Sequence, residues 1–170
     1  MLGAILVLVI TVGCVLILDA NPLTRYAVAS ASMEPTLHCS NAPGCRRLRP
    51  DHLVVSDLPY LFSGPRRGDI VLIDLKGKAR ACDGRLVVKR IVALPREVVE
   101  QRTGVLRVGG HPARQPYLRP GVAPGPDFAK VRLGAGRYFV MGDNRGASCD
   151  SRKFGPVRRG AIVGKVLFKS

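Results

Sequence analysis

Leu86-Val87-Val88-Lys89-Arg90-Ile91-Val92-Ala93-Leu94 is the stretch on which the fold turns. Both of its alternating faces are apolar, so it reads as a strand buried within a sheet. Yet two cations stand side by side at its centre. A buried ammonium without a partner costs several kcal/mol, on the order of the penalty for any isolated charge, or else it sheds its proton. Side chains alternate along a strand. Lys89 therefore shares a face with Val87 and Ile91, and Arg90 shares the other with Val88 and Val92. Arg90 cannot deprotonate and must find a carboxylate. Lys89 can lose its charge, and with the strand's desolvation and the neighbouring Arg90 charge both acting against the ammonium, its pKa is expected to fall.

The segments around this strand have the same character. Asp51-His52-Leu53-Val54-Val55-Ser56 and Gly68-Asp69-Ile70-Val71-Leu72-Ile73-Asp74-Leu75 read as strands on the N-terminal side. The second is entered by the turn-like Ser63-Gly64-Pro65. Tyr138-Phe139-Val140-Met141 and Ala161-Ile162-Val163-Gly164-Lys165-Val166-Leu167-Phe168 are strands on the C-terminal side. Between them, residues 95–136 carry short alternating pieces at Val98-Val99-Glu100 and Gly104-Val105-Leu106-Arg107-Val108, a Pro- and Gly-rich run over 109–125, and a further strand from Phe128 to Leu133. That middle stretch reads as an inserted subdomain with a long surface loop, and His111, beside a Gly-Gly turn, as solvated. The expected fold is mainly β: an antiparallel sheet core with a smaller inserted β subdomain at about 96–136.

Ser30-Ala31-Ser32-Met33-Glu34-Pro35-Thr36-Leu37 precedes the first of these strands. Pro35 biases Glu34 toward an extended shape, so the segment reads as a strand end or extended loop. Residues i and i+2 then face the same way, which puts the hydroxyls of Ser30 and Ser32 on one side. One can attack while the other donates a hydrogen bond. At the far end of the chain, Tyr138 runs into Gly142-Asp143-Asn144-Arg145-Gly146-Ala147-Ser148-Cys149-Asp150-Ser151-Arg152, a loop dense in Asp, Asn, Ser and Arg. It bonds its own backbone and offers Asp143 or Asp150 to Arg90.

Residues 2–18, LGAILVLVITVGCVLIL, hold no charge and no proline. Seventeen such residues reach the lower limit for a spanning helix, and Asp19, Asn21 and Pro22 end it. The reading is a retained transmembrane anchor over 2–18, a juxtamembrane linker over 19–28 and a folded domain over 29–170. A cleaved signal peptide is the rival, since Ala27-Val28-Ala29 has a small-x-small form. With 27 basic and 12 acidic residues in 170, the chain carries +15. The basic residues are mostly scattered arginine pairs without interleaved aromatics. That pattern suits an anionic membrane surface better than nucleic acid.

Cys14 lies in the apolar segment. Cys39, Cys45, Cys82 and Cys149 remain, an even number that suits two disulfides in an oxidising compartment. Three connectivities are open. No CxxC pair exists, so neither a metal nor a cofactor is expected. The charge rule would keep the domain in the cytoplasm, but long domains translocate largely regardless of charge. The cysteines favour the outside.

Three stretches, in order and spanning nearly the whole domain, together resemble the bacterial type I signal peptidases. Ser32-Met33-Glu34-Pro35-Thr36-Leu37 is similar to that family's nucleophile motif, and Lys89-Arg90-Ile91-Val92-Ala93-Leu94-Pro95 to its general-base motif. Gly142-Asp143-Asn144 with Ser148-Cys149-Asp150-Ser151-Arg152 and Phe154-Gly155 is similar to its last motif, and Arg67-Gly68-Asp69-Ile70-Val71 to one of its strands. The chain departs in having Arg96-Glu97 where the family usually has Gly-Asp or Gly-Glu, and in lacking a basic segment before the anchor.

The resemblance implies a membrane-anchored serine protease that removes signal peptides from exported preproteins. Ser32 would be the nucleophile and neutral Lys89 the general base. Ser30, with the Ser32 backbone N–H, would form the oxyanion hole. Ser148 would position the amine. Asp143, Asp150, Arg90 and Arg152 would make supporting ion pairs, and Ala29, Met33, Leu37 and Val88 would line small apolar pockets for an added substrate strand. The enzyme would sit as a monomer in the bacterial cell membrane, its catalytic domain on the extracytoplasmic side, with preproteins and phospholipid as partners and no nucleic acid. Three other readings stay open: a different Ser-Lys processing peptidase of the pilin-maturation or self-cleaving-repressor kind, an inactive membrane-anchored binding module, and a Ser-His enzyme using His38. The last lacks an obvious acid to orient the ring.

Overall fold

A computed structural model describes residues 23–40, 42–45, 49–78, 82 and 84–170. The expected anchor at 2–18 lies outside the described residues. No helix among those described is long and apolar enough to cross a membrane.

The described chain builds eleven short strands: β1 (Thr24–Ala27), β2 (His52–Ser56), β3 (Ile70–Asp74), β4 (Leu86–Ala93), β5 (Val98–Arg102), β6 (Val105–Val108), β7 (His111–Pro112), β8 (Phe128–Arg132), β9 (Arg137–Met141), β10 (Val157–Arg158) and β11 (Ile162–Lys169). Every pairing is antiparallel. Seven strands form one sheet in the order β1-β2-β11-β3-β4-β9-β10, and four form a second in the order β7-β6-β5-β8. β4 and β9 are neighbours, so the second sheet is an excursion between two adjacent strands of the first. This is the inserted β subdomain that the Pro- and Gly-rich middle of the sequence led us to expect.

β4 is flanked on both edges, with Val71 of β3 opposite Lys89 and Met141 of β9 opposite Arg90. That position explains its two-sided apolarity. One apolar cluster gathers Val71, Ile73, Ile91, Val140 and Phe154. Another joins the two sheets through Val92, Val99, Leu106, Phe139 and Met141, where the rings of Phe128 and Phe139 stack at 5.1 Å. A third packs Met33 and Leu37 onto Leu53, Val55 and Leu72. Burial of Met33 and Leu37 contributes on the order of 1.5–3 kcal/mol each and ties the serine-bearing stretch to the sheet.

Several local expectations change. Thr24–Ala27 is a sheet strand, not linker, because Tyr26 and Val28 pack into the third cluster. Ala31–Met33 is a buried 3-10 turn rather than extended chain. Pro35 restricts itself and its predecessor and does not reach the turn, so the chain is extended at Ser30 (φ −141°, ψ 155°) and Glu34 (φ −60°, ψ 142°) but not between them. Two single-turn helices, α1 (Pro59–Phe62) and α2 (Ser151–Phe154), had no sequence signal strong enough to place them. The β5–β6 turn puts both Thr103 and Gly104 at positive φ, which matches the strands' right-handed twist. Asp127 accepts hydrogen bonds from both of their N–H groups. Gln101 donates to the carbonyls of Pro124, Gly125 and Pro126, pinning the long loop to the subdomain. His111 is exposed.

Arg96 has φ 70°, a left-handed conformation that disfavours a Cβ. Glu97 accepts from Leu94 N–H and pairs with Arg67 at 2.6 Å, which holds the turn in place. Glycine accepts this φ freely but adds freedom to the unfolded chain. Arg96→Gly is therefore expected to stabilise the domain by about 0.5–1 kcal/mol in urea unfolding. A loss of stability would mean the Arg96 side chain contributes more than its backbone strain removes.

Candidate active site

The two serine and lysine stretches meet. Lys89 Nζ lies 2.7 Å from Ser32 Oγ and donates to the Val88 carbonyl at 2.8 Å. Lys89 is 3 % exposed and Ser32 7 %. Burial is the largest influence on the Lys89 amine and pulls its pKa from 10.5 to about 8, against the opposing pull of Asp150 and Asp143. The expected repulsion from Arg90 is not part of this balance. Asp143 takes up the Arg90 charge, accepting from Nε at 2.9 Å and Nη2 at 2.6 Å. With one N–H on Val88, a neutral amine can turn its lone pair to the Ser32 hydroxyl hydrogen.

Ser30 and Ser32 do point to one side, their Oγ atoms 3.2 Å apart. The geometry arises from the 3-10 turn and not from extended alternation. Asn144 holds that turn from across the fold: its N–H donates to Ser32 O at 3.1 Å and its side-chain amide to Ala31 O at 3.0 Å. Gly142 lies so close that a Cβ there would meet the Ser32 carbonyl oxygen and the Ser148 hydroxyl. A glycine is what allows the two loops to touch.

Two buried ion pairs support these loops. Arg90 bridges Asp143 to the Gly68 carbonyl and lies under the Tyr117 ring, 4.0 Å from its centroid. Thr36 Oγ1 donates to Asp143 Oδ2 at 2.6 Å, which links the nucleophile stretch to the same carboxylate. Asp150 instead pairs with Arg152, at 2.8 and 2.7 Å, accepts from Gly142 N–H, and caps α2. Burial acts most strongly on Asp150 and would raise its pKa. The Arg152 guanidinium, the Gly142 N–H and the nearby Ser148 hydroxyl together outweigh it and hold the carboxyl below its usual range. Ser151 Oγ accepts from Val140 N–H at 2.9 Å, fixing the loop to β9.

Not every expected residue takes its expected place. Ser148 Oγ is buried without a hydrogen-bond partner, and the Lys89 amine is held by Val88 O instead. The Ser148 hydroxyl lies near Asp150, close enough to affect its charge but not in good bonding geometry. A cleft of about 310 Å³ opens beside the dyad; Ser30, Ser32, Lys89 and Val87 line it, with Cys82 and Cys149. Ala29, Met33, Leu37 and Val88, the four residues expected to form the pockets, are not among those lining this cleft. Met33 and Leu37 are core, at 1 % and 2 % exposure, Val88 packs against that core, and Ala29 is exposed. His38 does have an acid partner: Glu34 Oε2 lies 2.8 Å from its Nδ1. The ring is engaged there, while the hydrogen bonds of Ser32 Oγ go to Lys89 and Ser30.

The cysteines form Cys39–Cys45 and Cys82–Cys149. Sequence reasoning assigned no role to Thr36, Tyr117, Asn144 or Arg145. Arg145 is 2 % exposed and donates to the Gly142 carbonyl at 3.0 Å. The density of polar residues over 142–152 marked the neighbourhood of the last two. Tyr117, within the Pro- and Gly-rich run, carried no signal.

The arrangement matches known proteins. The family model described as signal peptidase, peptidase S26, covers residues 1–170. The chain is 35 % identical to signal peptidase I of Bacillus caldolyticus over 86 % of its own length and 78 % of that protein's. It is 32 % identical to signal peptidase I of Bacillus licheniformis over 95 % and 83 %. A probable signal peptidase I of Mycobacterium leprae matches at 32 % over 85 % of this chain and 61 % of that protein. A crystal structure of a signal peptidase I from Enterococcus faecalis V583 superposes with a TM-score of 0.50 at 31 % identity, over 61 % of this chain and 97 % of that one. With the whole chain matched and a buried serine and a buried lysine in contact, the protein belongs to the signal peptidase family, peptidase S26.

Proposed function

We propose that this chain is a serine endopeptidase that removes signal peptides from exported preproteins, with Ser32 as nucleophile and neutral Lys89 as general base. The observation that carries the reading is the 2.7 Å contact between Lys89 Nζ and Ser32 Oγ in a nearly dry setting. A serine hydroxyl attacks only when a base takes its proton. Lys89 accepts that proton as Oγ bonds to the scissile carbonyl carbon. The oxyanion takes hydrogen bonds from the Ser32 N–H and the Ser30 hydroxyl. Protonated Lys89 then gives its proton to the leaving amine, and the acyl-enzyme remains on Ser32. Water, deprotonated by Lys89, releases the acid and restores the hydroxyl.

The apolar segment 2–18 anchors the enzyme in the bacterial cell membrane, and its catalytic domain works as a monomer on the extracytoplasmic face. Two disulfides support an oxidising location. The substrate lies along the cleft as an added strand.

The test is to incubate the detergent-solubilised protein with a preprotein and sequence the product's new N-terminus. Cleavage behind a small residue at the end of the signal peptide is the expected result. Ser30→Ala should retain part of this activity, reduced about 100- to 1000-fold, since the Ser32 N–H still faces the oxyanion. No product, or cleavage elsewhere, overturns the assignment.

A further inference from the structure

We propose that the cleft between the β3–β4 connection and the β9–β10 pair is a binding site for a phosphate ester, held by Lys78, Arg137 and Arg158. It shares no lining residue with the cleft beside Ser32 and Lys89, so it is a second site on the domain.

Three cations converge there without an acid to neutralise them. Arg137 and Arg158 stand directly opposite each other where β9 pairs with β10. Directly opposed residues of an antiparallel pair project from the same face, with Cβ atoms about 4.5–5.5 Å apart, and like charges so placed repel. Lys78 reaches the same place from the other wall. Its ammonium donates to the carbonyls of Phe154 at 2.7 Å and Pro156 at 3.3 Å. Burial, and then the charges of Arg137 and Arg158, hold its pKa below the usual lysine value. Among the described residues, no carboxylate pairs with any of the three. Asp74 also lines the cleft, but Arg85 forks onto it at 2.9 and 2.8 Å, and Lys76 lies 3.8 Å from it.

The fold gains nothing from this arrangement, since each repulsion lowers stability. A dianion among the three cations turns every repulsion into an attraction. Two planar guanidinium forks and an ammonium suit the oxygens of a phosphate. Lys78 has three N–H donors and uses two on carbonyls, which fixes the ammonium and leaves one for a ligand. Leu75, Pro156 and Val157 give the cleft an apolar wall. Such a wall behind charges of one sign focuses their field into the opening. At about 650 Å³ the cleft has room beyond the phosphate for an organic substituent. A phospholipid headgroup and a soluble phosphate ester share this chemistry.

The experiment follows thermal unfolding of the full chain by circular dichroism in dodecyl maltoside micelles at low salt. One arm adds sn-glycerol 3-phosphate. The other dopes the micelles with dilauroyl phosphatidylglycerol, against dilauroyl phosphatidylcholine, whose choline offsets the phosphate charge. A ligand of the folded chain raises Tm. A rise with glycerol phosphate identifies a soluble ester as sufficient, and a rise with phosphatidylglycerol alone identifies the lipid headgroup. Arg137→Gln/Arg158→Gln should weaken the affinity, read from the dose dependence of Tm, by about tenfold or more. Arg66→Gln/Arg132→Gln removes the same charge from exposed positions elsewhere and should leave it unchanged. Without ligand, the first pair should itself raise Tm by about 1–3 °C, because the repulsion is gone. No rise in either arm for wild type, equal weakening by both pairs, or a lower Tm in the unliganded first pair overturns the proposal. Neither pair touches Ser32 or Lys89, so each of these outcomes leaves the peptidase reading as it stands.

Discussion

Lys89→Arg and Lys89→Ala are each expected to lower kcat/KM by about a million-fold, the same loss as Ser32→Ala, because members of a catalytic unit fail together. Guanidinium cannot give up its proton, so arginine is no better here than alanine. An unperturbed amine at 10.5 would be neutral in only about one molecule in 3000 at pH 7, whereas burial to about 8 makes it neutral in about one in ten. Burial thus raises the active fraction about 300-fold. Wild-type kcat/KM, which reports the free enzyme, should rise about tenfold per pH unit below pH 8 and level off above it. A profile flat from pH 6 to 9, or substantial activity in Lys89→Arg, would remove Lys89 as the base.

The same burial has a stability cost with a defined pH window. The folded pKa, about 8, lies below the unfolded 10.5. Between them the unfolded chain binds the extra proton, so stability rises with pH across that window and the full penalty applies below it. Two and a half pH units correspond to about 3 kcal/mol. Lys89→Met should therefore be inactive, yet more stable than wild type at pH 7 by up to that amount, less about 1 kcal/mol for the lost bond to Val88. Urea unfolding at pH 7 and pH 10 measures both, and the advantage should shrink at the higher pH.

Asp143→Ala is expected to cost about 3–5 kcal/mol, because it leaves the Arg90 guanidinium buried without its partner. Asp143 is fully buried, and Arg90 is 7 % exposed. Thr36 loses its acceptor as well. The double variant Asp143→Ala/Arg90→Met should recover much of the loss, since neither charge then needs solvation. A single-variant cost below about 1 kcal/mol would mean that Arg90 reaches solvent or another acceptor once Asp143 is gone.

The alternation around Lys89 and Arg90 was enough to predict a buried strand carrying one amine that must shed charge and one guanidinium that must find a carboxylate. Both outcomes are local consequences of period-two geometry and desolvation. The inserted subdomain was legible for the same reason, from short alternating pieces between Pro- and Gly-rich turns. The strand at Thr24–Ala27 was not, because four residues with mostly exposed side chains carry too little pattern. The 3-10 turn at Ala31–Met33 was hidden because its stabilising bonds come from Asn144, more than a hundred residues away.

Amino-acid sequence alone determined which groups needed partners: a lysine in an apolar strand, an arginine beside it, paired serines before a proline, and an even set of cysteines. Tertiary structure decided which partners they received. It gave Arg90 to Asp143 rather than Asp150, placed Ser32 against Lys89, and committed Met33 and Leu37 to the core. It also carried the Cys82–Cys149 bridge to the wall of the cleft. Local chemistry fixes what a side chain requires, because desolvation acts on each group wherever it is buried. Which of two equivalent carboxylates, or three disulfide pairings, satisfies the requirement depends on long-range packing that brings distant loops together.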